Sequence, residues 1–154
     1  MSLATYKNYT LARATLFDVR GLRHFEEEIF PHDAYNPVEI GIHLLLPRSK
    51  NYKLMTSSGQ IIAFGATLDN WFVGRPAWIV TIGTSPDYQR QGIARFLLNY
   101  CEQRLTAERV RLTVRASNEA AIYLYRVTGY RYIRRFYRYY IDGEDGLIFE
   151  KQLR

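Results

Sequence analysis

Ile82-Gly83-Thr84-Ser85-Pro86-Asp87-Tyr88-Gln89-Arg90-Gln91-Gly92-Ile93-Ala94 is the stretch that decides the reading of this chain. It carries a strand pattern into a helix pattern. Upstream, Ala77 to Thr84 is apolar and β-branched and follows Pro76, which predicts a buried strand. Ser85-Pro86-Asp87 is turn chemistry. Downstream, Ile93, Phe96, Leu97, Tyr100, Cys101 and Leu105 recur at helical spacing and predict an amphipathic helix. The first amides of a helix have no partner inside it and sit at the positive end of its dipole. The turn Gln89-Arg90-Gln91-Gly92-Ile93-Ala94 is therefore a candidate anion site. Gly92 and Ala94 lack bulk, so a pyrophosphate can approach the backbone, and Arg90 and Arg95 add charge. A glycine turn before a helix also occurs as a plain tight loop, so by itself the turn fixes no function.

Working outward, Tyr9 to Ala14 reads as a short strand. Asp18 reads as the cap of a helix in which Val19, Leu22, Phe25 and Ile29 share a face, ended at Phe30-Pro31 because proline disfavours helix in the residue before it. Asn36-Pro37-Val38-Glu39 combines a capping residue, proline at the first helical position and glutamate three residues after the cap, predicting a second helix to about Leu46. Tyr52 to Thr56 and Ile61 to Leu68 read as strands joined by the turn Ser57-Ser58-Gly59-Gln60. After the helix at Ile93, Val110 to Val114 is a strand, and Asn118 caps a helix through Tyr125 that Gly129 stops. Tyr130 to Tyr140 and Leu147 to Leu153 read as two last strands flanking the turn Asp142-Gly143-Glu144-Asp145. The order β-α-α-β-β-β-α-β-α-β-β mixes helices with a largely antiparallel sheet.

Composition narrows the class. The 154 residues, 47% of them apolar, suit one domain spanning 1–154. No apolar run approaches the ~18–20 residues of a membrane span, and the start of the chain is not a secretory signal. Cys101 is the sole cysteine, which excludes an internal disulfide and a cysteine-pair zinc site and fits a reduced, cytoplasmic setting; no metal is expected. On the apolar face of its helix, Cys101 reads as a packed thiol rather than a nucleophile. A net charge of +6 favours anionic partners. Arg131, Arg134, Arg135 and Arg138 interleave with Tyr130, Tyr132, Tyr137, Tyr139 and Tyr140. That pattern suits nucleic acid by charge and stacking, but a solvated arginine face on a strand is the favoured explanation, and nucleic acid is not an expected partner.

Two segments together carry a resemblance to a known family. Gln89 to Ala94 resembles the Gln/Arg-x-x-Gly-x-Gly/Ala signature of the GNAT N-acetyltransferases. Leu112-Thr113-Val114-Arg115-Ala116-Ser117-Asn118-Glu119-Ala120-Ala121-Ile122-Tyr123-Leu124-Tyr125-Arg126-Val127-Thr128-Gly129-Tyr130 resembles the second half of that family's core, a strand, an asparagine-capped helix and a Leu-Tyr-x-x-x-Gly-Tyr/Phe ending. The likeness covers about residues 78–130. Val114 to Asn118, Tyr139-Tyr140 before Asp142-Gly143-Glu144-Asp145, and Phe30-Pro31 with Tyr35 resemble most the ribosomal-protein-alanine N-acetyltransferases and their N-terminal acetyltransferase relatives. The fold so implied is an α/β GNAT fold. It has a twisted, mostly antiparallel sheet of about seven strands and about four helices, splayed between the strands at 77–84 and 110–114.

The resemblance also implies roles. Acetyl-CoA would be the co-substrate. The amides of Gln91, Gly92, Ile93 and Ala94, with the Gln89 and Arg90 turn, would hold its pyrophosphate. The backbone of Ile82, Gly83 and Thr84 would pair with the pantetheine arm, Asn118 would bond that arm, and Tyr125 would face the sulfur and return a proton to the leaving thiolate. Phe30, Pro31, Tyr35, Tyr139 and Tyr140 would hold the acceptor. Each has a plainer explanation: Asn118 as a helix cap, Tyr125 as a core ring. One position departs from the pattern. Relatives often carry a glutamate or histidine base before Val114, where this chain has Thr113. Glu39, His43, His32, Asp33, Glu119, Glu150 or a water chain remain as candidate bases. An α-amine needs little base, because roughly a tenth of it is already neutral at pH 7. The absent base leans the choice towards an α-amine or another low-pKa amine without deciding it, and with the resemblance the expected acceptor is a protein or peptide N-terminus. A small amine, and a non-catalytic CoA- or RNA-binding module, are the alternatives. Monomer and homodimer both remain open.

Overall fold

Local chemistry places most elements where the sequence predicts them. Asp18 precedes the first helix but does not cap it with its side chain, which instead accepts the Thr15 amide at 2.8 Å and the Lys53 ammonium at 2.5 Å, and the strand expected from Tyr52 begins at Ser49. The computed structural model describes residues 1–154, as eight strands and four helices: β1 (Ser2–Tyr6), β2 (Tyr9–Arg13), α1 (Val19–Ile29), α2 (Pro37–Leu45), β3 (Ser49–Met55), β4 (Ile61–Leu68), β5 (Ala77–Thr84), α3 (Ile93–Glu102), β6 (Arg109–Arg115), α4 (Glu119–Val127), β7 (Arg131–Phe136) and β8 (Gly146–Gln152). β1 is the strand the sequence pattern did not announce. It pairs with β2 with Tyr6 opposite Tyr9, leaving Lys7-Asn8 as the two-residue turn, with Lys7 at φ 53°. β7 also differs: it ends at Phe136 rather than Tyr140. Arg138 has φ 51°, and Asp145 accepts its amide at 2.9 Å, which turns the chain out of the strand.

The chain divides into two compact units, and β5 runs through both: residues 1–68 with 80–104 form the first, and 69–79 with 105–154 the second. In the first, the strand order is β1-β2-β3-β4-β5, antiparallel from β1 through β4. Its core gathers Leu22 and Phe25 of α1, Ile40 of α2, and Phe64 and Ala66 of β4. The apolar stripe of α3 closes onto β4 where Gly65 leaves room: a Cβ there would lie 3.2 Å from Cys101 Sγ and from Leu97 Cγ. In the second unit the order is β5-β6-β8-β7. β6 pairs in parallel with β5 at Ala77↔Val110 and Trp78↔Arg111, and antiparallel with β8 along its full length. A divergence of β5 from β6 beyond Trp78 is compatible with that short register. No helix is long and apolar enough to cross a membrane.

Candidate functional site

The turn before α3 is built to present amides. Gly92 takes φ 79°, a left-handed value, and Arg90 takes φ 58°. The first intrahelical bond of α3 runs from the Phe96 amide to the Gly92 carbonyl at 2.9 Å, so the amides of Ile93, Ala94 and Arg95 have no acceptor within the helix. The β1–β2 hairpin grips the other side of the turn. Tyr6 Oη donates to the Gln91 carbonyl at 3.0 Å, Lys7 Nζ donates to the same oxygen at 2.9 Å, and Tyr9 Oη donates to Gln91 Oε1 at 3.3 Å. The ammonium of Lys7 and the exposed guanidinium groups of Arg90 and Arg95 give this rim three cations. Its chemistry fits an extended phosphate ester. Exposed Gln89 bonds back along the chain instead: its Nε2 donates to the Thr84 carbonyl at 3.2 Å and ties the turn to the end of β5.

The end of β5 lies under α1. A Cβ on Gly83 would stand 3.1 Å from Ile29 Cγ2 and 3.3 Å from Phe30 Cζ, so glycine here permits a close approach. Thr84 is buried with Oγ1 unpartnered. Ser85 Oγ donates to Glu28 Oε2 at 3.3 Å. Phe30 and Tyr35 are half-buried and Pro31 is exposed. Arg23 fixes the loop after α1 by donating to the Tyr35 carbonyl at 2.8 Å. Tyr35 meets His43 edge-on, ring centres 5.0 Å apart.

In the second unit, Asn118 caps α4: its Oδ1 accepts the Ala121 amide at 3.2 Å. Tyr125 is buried, with ring centres 5.6 Å from Tyr130 and 6.4 Å from Phe149. Burial, with Tyr140 adding to it, pushes its phenol above the ordinary tyrosine value. Tyr125 therefore keeps its proton and can donate a hydrogen bond, but it is no base. Tyr139 and Tyr140 meet edge-on at 5.0 Å, and the Arg115 guanidinium lies 4.1 Å from the centre of the Tyr140 ring. Arg115 also binds Asp142 at 2.8 Å and Glu144 at 2.7 Å, so the acidic turn anchors this pair. Of the arginines on the 130–140 stretch, Arg135 pairs with Asp145 at 2.6 Å, and all six residues of β7 are exposed.

The candidate bases are scattered. Glu39 is locked in the α2 capping box, accepting the Asn36 amide at 2.8 Å. Glu150 is neutralised by Arg111 at 2.6 Å. His32 and Glu119 are exposed, and Asp33 is half-buried. His43 is half-buried, and burial lowers its pKa. Thr113 sits in β6 opposite Ile148. The group absent from the sequence-based set is Glu26, 1% exposed in α1. Its signal was present: Leu22, Phe25, Glu26 and Ile29 follow the i, i+3, i+4, i+7 stripe, so a carboxylate falls among the core-facing positions.

A strand that ends in an amide-lined turn at a helix start, in a mixed α/β fold, is an arrangement suited to an anion. The comparisons narrow this reading. The model of the acetyltransferase (GNAT) family matches residues 16–130. The chain is 41% identical over 107 residues, 66% of this chain and 70% of the relative, to the "[ribosomal protein bS18]-alanine N-acetyltransferase" of Escherichia coli K12. It is 29% identical to N-alpha-acetyltransferase 50 of Danio rerio, over 94% of this chain and 88% of that one. The crystal structure of the Escherichia coli ribosomal-protein-S18-alanine N-acetyltransferase superposes with a TM-score of 0.82 at 29% identity, covering 94% of each chain. The chain belongs to the GNAT acetyltransferase family and is an N-acetyltransferase.

Proposed function

We propose that this enzyme moves the acetyl group of acetyl-CoA to the free α-amine of a protein N-terminus, in the cytoplasm, with residues 1–154 acting as one acetyltransferase domain. One observation carries the reading. The bS18-alanine N-acetyltransferase of Escherichia coli is matched in sequence at 41% identity and, over 94% of both chains, in fold. The pinned turn before α3 supports it. In this reading the Gln89, Arg90 and Gln91 turn with the amides of Gly92, Ile93 and Ala94 binds the pyrophosphate. The Ile82, Gly83 and Thr84 backbone and Asn118 bind the pantetheine arm. Tyr125 donates a hydrogen bond to the departing sulfur. Phe30, Pro31, Tyr35, Tyr139 and Tyr140 receive the peptide. No covalent enzyme intermediate is involved, and rate comes from positioning and from stabilising the oxyanion.

The test is acetyl-CoA turnover on three acceptors: a peptide with a free N-terminal alanine and no lysine, an N-blocked peptide containing lysine, and a polyamine. Turnover confined to the first is expected. Equal use of the second or third overturns the N-terminal assignment.

A further inference from the structure

The turn before α3 contains a peptide that its own sequence leaves free to turn over. Gly92 lets a ligand come close, but glycine takes positive and negative φ about equally well. Turning over the Gln91–Gly92 peptide would carry Gly92 from φ 79° to a negative value at little steric cost. A trans peptide is planar, so its carbonyl and its amide point in opposite directions. In the turned-over form the Gln91 oxygen would stand where the Gly92 N–H stands now. An anion would then meet an acceptor in place of a donor.

The β1–β2 hairpin holds this peptide by its oxygen. Tyr6 Oη donates to the Gln91 carbonyl at 3.0 Å and Lys7 Nζ donates to it at 2.9 Å, which uses both lone pairs of that oxygen. Tyr9 Oη holds the side chain of the same residue through Oε1 at 3.3 Å. The donors are themselves placed by packing. The Tyr6 ring stacks on Phe96 of α3 with centres 4.4 Å apart, and the Tyr9 ring meets Tyr88 edge-on at 5.8 Å. Arg90, at φ 58°, is strained between Gln89, tied to Thr84, and Gln91, tied to the hairpin. Such backbone persists where its surroundings fix it. All of these residues belong to the first unit. The three hairpin donors lie outside residues 16–130, the part of the chain that matches the family model.

We propose that Tyr6 and Lys7 are positioning residues for the co-substrate, holding the Gln91–Gly92 peptide with its amide turned towards the CoA pyrophosphate. This rests on the acetyl-CoA reading above. Both act through the Gln91 oxygen and need no contact with the co-substrate. Their bonds fix the direction of the Gly92 N–H. They also polarise the peptide, because a carbonyl that accepts hydrogen bonds makes the N–H of its own peptide a stronger donor. The ammonium of Lys7 does this more than a neutral group would.

The experiment uses the full chain and two acetyl donors, acetyl-CoA and S-acetylpantetheine, which ends before the pyrophosphate. Wild type, Tyr6→Phe, Lys7→Met and Lys7→Arg are compared in kcat and KM for each donor with one acceptor peptide, and in Kd for CoA by calorimetry. Tyr6→Phe keeps the ring on Phe96 and changes no charge, so long-range attraction cannot account for its effect. With Gly92 in place, Tyr6→Phe and Lys7→Met should each raise the CoA Kd and the acetyl-CoA KM by about three- to tenfold while kcat holds. Lys7→Arg should retain most of the affinity. On S-acetylpantetheine, kcat/KM should be the same in every variant. Equal losses on both donors would mean that the two residues serve the fold alone, and an unchanged CoA Kd would mean that the peptide needs no grip. Either result, in a protein whose wild type prefers acetyl-CoA to S-acetylpantetheine, overturns the proposal alone. A wild type that uses both donors equally well overturns the pyrophosphate reading of the turn and the proposal with it.

Discussion

Gly92 shows how a residue can be right for a reason the sequence does not contain. The sequence argues for a glycine because a ligand must come close. The structure adds that a Cβ would meet Tyr6 Oη at 2.7 Å, on a backbone at φ 79°. Tyr6 lies 85 residues away in sequence from the Gln91 carbonyl it binds, and no local pattern exposes such a contact. Gly92→Ala therefore carries two penalties, about 1 kcal/mol for the left-handed backbone and the displacement of Tyr6. Calorimetry should show acetyl-CoA binding weakened about tenfold or more. Tyr6→Phe in that background should recover part of the loss, since the ring carbon stands at an ordinary 3.9 Å. Tyr125 belongs to the same scale. Tyr125→Phe keeps the ring packing against Tyr130 and Phe149 and removes only the hydroxyl. Steady-state kinetics should show kcat lower by about a hundredfold with acetyl-CoA affinity intact. Unchanged kcat would make Tyr125 a packing residue.

Among the elements, those specified by neighbouring residues were legible and those specified by distant ones were not. α2 was readable in full. Asn36 Oδ1 accepts the Glu39 amide at 2.9 Å, the reciprocal bond is made, and Pro37 occupies the first turn. A nine-residue helix is marginal by itself, so its cap matters. Asn36→Ala should cost about 1 kcal/mol and lower Tm by a few degrees in a thermal melt, while Asn36→Asp should stay near the wild type. β7 is the opposite case. The Tyr/Arg alternation runs on to Tyr140, but Asp145, reached through the turn, takes the Arg138 amide and the Arg135 guanidinium and ends the strand at Phe136. β1 was missed because five residues with little alternation become a strand only beside β2. Glu26 was missed because a glutamate in a helix ordinarily reads as solvated, although its place in the Leu22–Ile29 stripe argued otherwise.

For the whole molecule, the same carboxylate makes a prediction about stability that needs no substrate. An unfolded glutamate titrates near 4.5, whereas folded Glu26 titrates near 7. Between those values the native state holds a proton that the unfolded chain has released. The contribution of this group is therefore fully present below about pH 4.5 and is lost as pH rises through about 7. Glutamine copies the protonated form and loses nothing across that window. Glu26→Gln should match the wild type in stability at pH 4 and exceed it at pH 8, by up to about 3 kcal/mol, or several degrees in Tm. Calorimetric melts at the two pH values decide the matter. A variant that is more stable at pH 8 shows a charge kept in the core at the expense of the fold. If Glu26→Gln is instead less stable at pH 8, the carboxylate is serving the structure through bonds such as the one from Thr81.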